Sequence, residues 1–201
     1  RAELHAASAP HTSDGQFIYP GTCRNLTEDE RRSKMQSHKH SWRIKVPDET
    51  ITFNDRNYGR QSLNLAREWG DFIVRRSDGI YAYQLTVVID DALMGVTEII
   101  RGRDLLSSSA PQLYLYRLLG FKPPQFGHLP LLTAPDGRRL AKRDMDLDMG
   151  ALRSRYTPEE VIGRLAFLAG LIDKEEPVKA AELLPLFDWQ KIPKENITVT
   201  N

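Results

Sequence analysis

The 201-residue chain is 40% hydrophobic and 27% charged, with a formal net charge of +1. This composition fits an ordinary folded domain. It excludes a disordered chain, and the charge excludes nucleic-acid binding by bulk positive potential alone. The single cysteine, Cys23, excludes an internal disulfide framework and fits a reducing cytoplasm, and no apolar run is long enough to span a bilayer.

Residues 1–47 are polar, rich in His, Ser, Arg and Lys, and poorly periodic, which reads as an inserted loop module with one short helix. Thr27-Glu28-Asp29-Glu30 is a capping-box pattern that starts that helix. Residues 42–46 alternate apolar and charged side chains, as a half-exposed strand does, and Pro47 ends them. Residues 51–55 form a second short strand candidate and residues 71–76 a third. Ser77-Asp78-Gly79 then predicts a hairpin turn, with residues 80–83 beginning the return strand.

Tyr83-Gln84-Leu85-Thr86-Val87-Val88-Ile89-Asp90-Asp91 is mostly apolar and ends in two carboxylates. It reads as a strand buried on both faces of a parallel sheet. Residues 95–101 read as a second strand whose last residue is Arg101. Ligands of open α/β sheets bind outside the carboxyl ends of the strands, and an arginine there can bond both oxygens of a carboxylate. Asp90 and Asp91 fit helix capping or ordering of a pocket better than a paired acid and base.

A helix is expected after Arg101, started by Ser109 and Pro111, with Leu113, Tyr116 and Leu119 at helical spacing and Gly120 as its stop. Residues 121–132 return to the sheet, and Asp136-Gly137 is a tight turn presenting residues 138–143. Thr157-Pro158-Glu159-Glu160 caps another helix, whose apolar face holds Val161, Ile162, Leu165, Leu168 and Ala169, with Gly170 beyond its end. A last helix covers about 179–187, with Pro185 able to shorten it.

Four blocks carry a resemblance: Gly70-Asp71-Phe72, Arg101-Gly102-Arg103-Asp104-Leu105-Leu106, His128-Leu129-Pro130-Leu131, and residues 136–144. In this order they resemble the catalytic domain of class I glutamyl-tRNA synthetases, and most of all the short branch of that family that modifies queuosine. The fold class so implied is α/β: a class I synthetase Rossmann-type catalytic domain, incomplete at its N-terminus, with a small zinc-type insert and a short C-terminal helical region. The corresponding boundaries are 1–47 for the insert, 48–146 for the C-terminal part of the catalytic domain, and 147–201 for the helical region. The chain begins at Arg1 rather than at a methionine. The resemblance places upstream of it a first strand, glutamate-binding and HIGH-like motifs and a Cys-x-Cys pair, so this chain alone is expected to be an incomplete enzyme.

The resemblance assigns Tyr83 and Arg101 to the glutamate substrate. The chemistry agrees, because glutamate offers two carboxylates and an ammonium, and its pocket needs a cation and a hydroxyl. The bland alternative is a core tyrosine and a surface ion pair. Arg139-Leu140-Ala141-Lys142-Arg143 aligns with the family's KMSKS loop. Lys142 matches its second lysine and is the expected catalytic group, with Arg139 and Arg143 beside it on ATP. Arg139 stands for the first lysine and Ala141 for the serine, so the charge is kept and a hydroxyl is lost. The alternative is a solvated basic hairpin.

Tyr19 and Cys23 match half of a zinc site in the short branch, to be completed by the upstream cysteines. A lone cysteine is more often a small buried hydrophobe, and His5 and His11 are weaker substitute ligands. His128 is either near the adenine, where backbone groups do the reading, or a satisfied core histidine.

The function implied is ATP-dependent activation of L-glutamate, with accompanying Mg(2+) and with Zn(2+) in the insert. Glutamate then passes to the queuosine base at the wobble position of tRNA(Asp), in the cytoplasm and without a membrane. The 59 residues after Lys142 leave room for a short helical region and favour the short branch (201 − 142). Two alternatives stand beside it: a catalytic fragment of a glutamyl-tRNA synthetase charging the tRNA 3′ end, and a non-catalytic RNA- or zinc-binding module.

Overall fold

The computed structural model describes residues 18–138, 140 and 149–199. They divide into two compact units. The first comprises residues 18–54, 60–99 and 105–126, and the second comprises 55–59, 100–104 and the described residues from 127 on.

In the first unit, helix α1 (Glu28–Ser37) starts as expected. The Thr27 hydroxyl accepts from the Glu30 amide, and the Glu30 carboxylate accepts from the Thr27 amide at 2.8 Å. The helix buries no residue, so its capping box and acidic first turn support it in place of a packed face. Strand β1 (Trp42–Ile44) pairs antiparallel with β4 (Phe72–Arg75). Strands β2 (Thr50–Asp55) and β3 (Gly59–Asn64) follow β1, and a wide helical turn at Leu65–Trp69 buries Leu65 and Trp69.

Gly70 and Asp71 tie residues 18–47 to β4. The Asp71 carboxylate, buried, accepts from the Val46 amide at 2.9 Å and from Arg24, whose other nitrogen reaches the Val46 carbonyl at 2.8 Å. Gly70 has φ +76°, and a Cβ there would lie 2.6 Å from the Ile18 side chain. Both conformation and space therefore require glycine.

The segment read as a doubly buried strand is helix α2 (Tyr83–Leu93). The β-branched run Thr86-Val87-Val88-Ile89 favours a strand locally. Leu85, Val88 and Ala92, however, recur at helical spacing and pack into the core, which decides the matter. The expected return strand shrinks to one bridge, Arg75 to Tyr81, before the helix begins. Asp90 and Asp91 stand in the last turns of α2, where the Asp90 carbonyl accepts from the Met94 amide.

Strand β5 (Glu98–Gly102), helix α3 (Ser109–Leu118) and strand β6 (Gln125–Leu129) follow in the expected order. Gly120, with φ +71°, lies just past α3. The strands of a four-stranded sheet run in the order β3–β2–β6–β5. The core of the first unit is built around Val46, Leu65, Val88, Leu115 and Tyr116. Each such side chain contributes roughly 1.5–3 kcal/mol by leaving water.

In the second unit, β7 (Leu132–Thr133) pairs parallel with β8 (Ile197–Thr198). Between them lie α4 (Met149–Arg155), α5 (Pro158–Leu168) and α6 (Ala180–Leu183), the last ended at Pro185 by a tighter turn. The tight turn at Asp136-Gly137 is present, with the Gly137 amide on the Ala134 carbonyl. Helix α5 carries the expected capping box at Thr157 and Glu160.

The buried face of α5 keeps Val161, Ile162, Leu168 and Ala169 of the expected set at half burial but is centred elsewhere. Gly163 and Ala166 are buried, while Leu165 is 48% exposed. Gly163 lets the 176–177 backbone lie directly on the helix. A Cβ there would sit 1.8 Å from the Glu176 carbonyl oxygen. Gly163→Ala is therefore expected to destabilise the fold by about 2–3 kcal/mol or more, since backbone must move. That corresponds to a melting point lower by roughly 5–10 °C. Thermal unfolding by circular dichroism checks it, and an unchanged midpoint would mean that the 176–177 segment does not hold this position.

Candidate functional site

Arg101 stands near the end of β5, in the second unit. Its Nε–H donates to Nε2 of His128 at 3.0 Å. The other ring nitrogen of His128, Nδ1, lies 2.6 Å from Oδ2 of Asp55. Arginine has only donors, so Nε2 of His128 must be the acceptor. The ring proton then sits on Nδ1 and is donated to the Asp55 carboxylate.

Asp55 ends β2, and its Oδ1 accepts from the amides of Asn57 at 3.0 Å, Tyr58 at 2.9 Å and His128 at 3.3 Å. Burial, the largest influence, pushes the Asp55 carboxyl up. The bonds from His128 and from the Tyr58 and Asn57 amides outweigh it and hold the group below the usual aspartate range. The side chains of Asp55 and His128 are both fully buried.

The C-terminal segment of this unit closes over the same turn. Asn57 donates to the carbonyls of His128 and Pro193, at 3.1 and 3.3 Å. The Tyr58 hydroxyl donates to the Lys194 carbonyl at 2.9 Å, and Arg103 reaches the same oxygen at 3.1 Å. Trp189 lies against Gly127, where a Cβ would come within 2.6 Å of the indole. These contacts fix β6 and the 55–59 turn, and with them Asp55 and His128.

Neither Asp55 nor His128 was expected to attend Arg101. In the sequence Asp55 reads only as the last residue of a strand candidate, and the ring that its carboxylate meets lies 73 positions away. His128 proves to be a satisfied buried histidine, bonded through both ring nitrogens.

Tyr83, the other expected glutamate contact, belongs to the first unit. It is the first residue of α2 and is half-exposed. Gln84, next to it, is bonded to Ser108 at 3.2 Å and to Gln112 at 2.7 Å, which anchors the start of the helix against α3. Arg139, Lys142 and Arg143 lie outside the described residues.

Tyr19 and Cys23 are brought together. The Cys23 amide donates to the Tyr19 hydroxyl at 2.7 Å, and the Arg43 guanidinium lies 4.1 Å over the Tyr19 ring. Burial, the largest influence, pushes the Tyr19 hydroxyl up, and the Cys23 thiol adds to this. The Cys23 amide and Arg43 pull against both. The pair supplies one oxygen and one sulfur donor, half of what a closed tetrahedral zinc site requires. Among the described residues no group of three or more His, Cys, Asp or Glu could hold a metal. No described helix is long and apolar enough to cross a membrane. The first unit also carries a cleft of about 500 Å³, lined by His38, His40, Trp42, Arg75 and Arg76 among others. It contains none of the expected substrate residues.

The family described as "tRNA synthetases class I (E and Q), catalytic domain" matches residues 3–200. A glutamyl-Q tRNA(Asp) synthetase of Symbiobacterium thermophilum is 52% identical over 204 residues, covering 99% of this chain and 62% of that protein. One from Nitratidesulfovibrio vulgaris is 44% identical over 96% of this chain and 60% of its own length. The chain thus spans about 60% of the curated relatives it matches. Among solved structures, a glutamate tRNA ligase from Elizabethkingia meningosepticum, in complex with its amino acid, superposes with a TM-score of 0.77. It is 28% identical, over all of this chain and 44% of that one. The glutamate-tRNA synthetase of Elizabethkingia anophelis gives a TM-score of 0.78 at 28% identity, over 45% of its length.

Proposed function

The chain belongs to the catalytic-domain family of class I tRNA synthetases for glutamate and glutamine, and from that premise we propose that it is part of an ATP-dependent ligase that glutamylates the queuosine base of tRNA(Asp). The observation that carries the choice within the family is identity. Glutamyl-Q tRNA(Asp) synthetases reach 52% and 44% over nearly all of the chain, whereas the solved glutamate-charging enzymes stand at 28%. This gap favours queuosine over the tRNA 3′ end as the acceptor, and it favours a catalytic role over a binding module.

The chemistry has two steps. A carboxylate oxygen of glutamate attacks the α-phosphorus of ATP, forming an acyl–phosphate bond and releasing pyrophosphate. A hydroxyl of the queuosine cyclopentene ring then attacks the acyl carbon, losing its proton as AMP departs. The first step needs no side-chain base, because the carboxylate is already ionised at neutral pH. The protein's task is to hold glutamate in line and to stabilise charge on the departing phosphates.

Arg101 and Tyr83 hold the glutamate in this reading, and Lys142, Arg139 and Arg143 attend the phosphates. Magnesium accompanies ATP as its counter-ion. The 1–47 segment is the insert, with Tyr19 and Cys23 as two zinc ligands and the other two from elsewhere in the full-length protein. Residues 48–146 belong to a Rossmann-type catalytic body and 147–201 to a helical region. One cysteine in 201 residues fits a cytoplasmic setting.

Arg101→Ala is expected to raise the glutamate concentration needed for half-maximal pyrophosphate exchange by about tenfold or more, at saturating ATP, because a charge-assisted bond to the substrate is lost. Unchanged glutamate dependence would remove Arg101 from the pocket.

A further inference from the structure

Building on Arg101 as a glutamate ligand, we propose that Asp55 and His128 are positioning residues that set the plane of the Arg101 guanidinium for the substrate carboxylate. Each link in the chain has a fixed donor and acceptor. Arg101 can only donate, so the His128 Nε2 at 3.0 Å accepts. Nδ1 therefore donates to Oδ2 of Asp55, at 2.6 Å. Asp55 cannot swing away, because Oδ1 is occupied by three backbone amides from the 55–58 turn and β6. The two oxygens of one carboxylate thus have separate duties: Oδ1 is anchored by the backbone and Oδ2 selects the tautomer of the imidazole.

The consequence falls on Arg101. A guanidinium bonded through Nε cannot rotate about its Cδ–Nε bond without breaking that bond, so the plane of its fork is set. A carboxylate is recognised bidentately only in that plane. Ordering the fork before substrate arrives removes an entropic cost from binding. The burial pattern agrees, since Asp55 and His128 are fully buried while Arg101 is partly exposed.

The decisive variant is Asp55→Asn in the full-length protein. Its amide oxygen can keep the three backbone bonds, while its NH₂ replaces Oδ2 and donates to Nδ1. The ring proton then moves to Nε2 and faces the Arg101 Nε–H, donor against donor. The expected result is a glutamate KM raised on the order of tenfold, with the ATP KM unchanged and the melting point close to wild type. His128→Gln keeps an acceptor near the place of Nε2, so it should bind glutamate distinctly better than His128→Phe, which keeps a ring and no acceptor.

A folded Asp55→Asn protein with wild-type glutamate KM overturns the proposal. Should that variant fail to fold, equal glutamate KM values in the Gln and Phe variants of His128 overturn it instead. Arg101→Ala separates this failure from that of the parent reading. If Arg101→Ala raises the glutamate KM but Asp55→Asn does not, only the positioning role falls. If Arg101→Ala has no effect on glutamate, the parent reading and the proposal fall together.

Discussion

Replacing Lys142 with alanine is expected to slow glutamate activation on the order of 100-fold or more, with little change in glutamate binding. Adenylate formation builds negative charge on the α-phosphate and the leaving pyrophosphate. A cation placed there is worth more in the transition state than in the ground state, and loss of one such contact costs about this much in rate. Lys142 lies outside the described residues, so the assignment rests on the match of residues 139–143 to the family's phosphate loop. Single-turnover adenylation at saturating glutamate and ATP measures the step directly. A normal rate with a raised glutamate requirement would make the lysine a ground-state binder and withdraw it from catalysis. Arg139 and Arg143 sharpen the test, because neighbouring cations could cover part of the lost charge. A Lys142→Arg protein that recovers most of the rate would point to charge, and one that does not would point to the compact ammonium itself.

The features legible in the sequence are those with local causes. The capping boxes at Thr27 and Thr157 satisfy amides within one helical turn, so four consecutive residues suffice to read them. The same is true of the Asp136-Gly137 turn and of the stop at Gly120. Helix α2 was misread because its start carries no such signal: Ala82 offers no side-chain cap, and Thr86-Val87-Val88-Ile89 is a strand-like run. Its helical character is decided by packing of Leu85, Val88 and Ala92 against residues far along the chain. Strand β3 was missed for the opposite reason. Gly59-Arg60-Gln61-Ser62-Leu63-Asn64 has a single apolar residue and so no alternation to read. In α5 the full burial of Gly163 came from a tertiary contact, the 176–177 backbone, that the sequence does not announce.

The candidate site divides in the same way. Arg101 could be named from its block, and Tyr19 with Cys23 through their resemblance to the family; the contact between Tyr19 and Cys23 is itself local. The Asp55–His128 pair could not, because nothing in a turn sequence indicates which distant ring its carboxylate will meet. A buried histidine with two satisfied nitrogens also looks the same in sequence as one facing a ligand.

The acceptor separates the two synthetase readings most sharply, and the expected effect is all or none. Labelled glutamate should attach to tRNA(Asp) when queuosine is present and fail to attach when guanosine occupies the wobble position. An anticodon loop suits such recognition, because its unpaired bases can be splayed and stacked upon. The cyclopentene hydroxyl that receives the acyl group exists only on the modified base. Both readings form an ester, so release of label by alkali does not identify the position. Nuclease cleavage of the labelled tRNA does, by asking which fragment retains glutamate. Label on the anticodon fragment of tRNA(Asp) agrees with the 52% and 44% relatives. Label on the 3′-terminal adenosine of tRNA(Glu) would falsify the queuosine reading and return the chain to the glutamate-charging side of its family. The two positions call for different surfaces around one adenylate pocket, so Arg101→Ala should weaken labelling at limiting glutamate at whichever site is used. It should do so without moving the label from one fragment to the other, because in the proposed reading the arginine holds the glutamate and takes no part in choosing its acceptor.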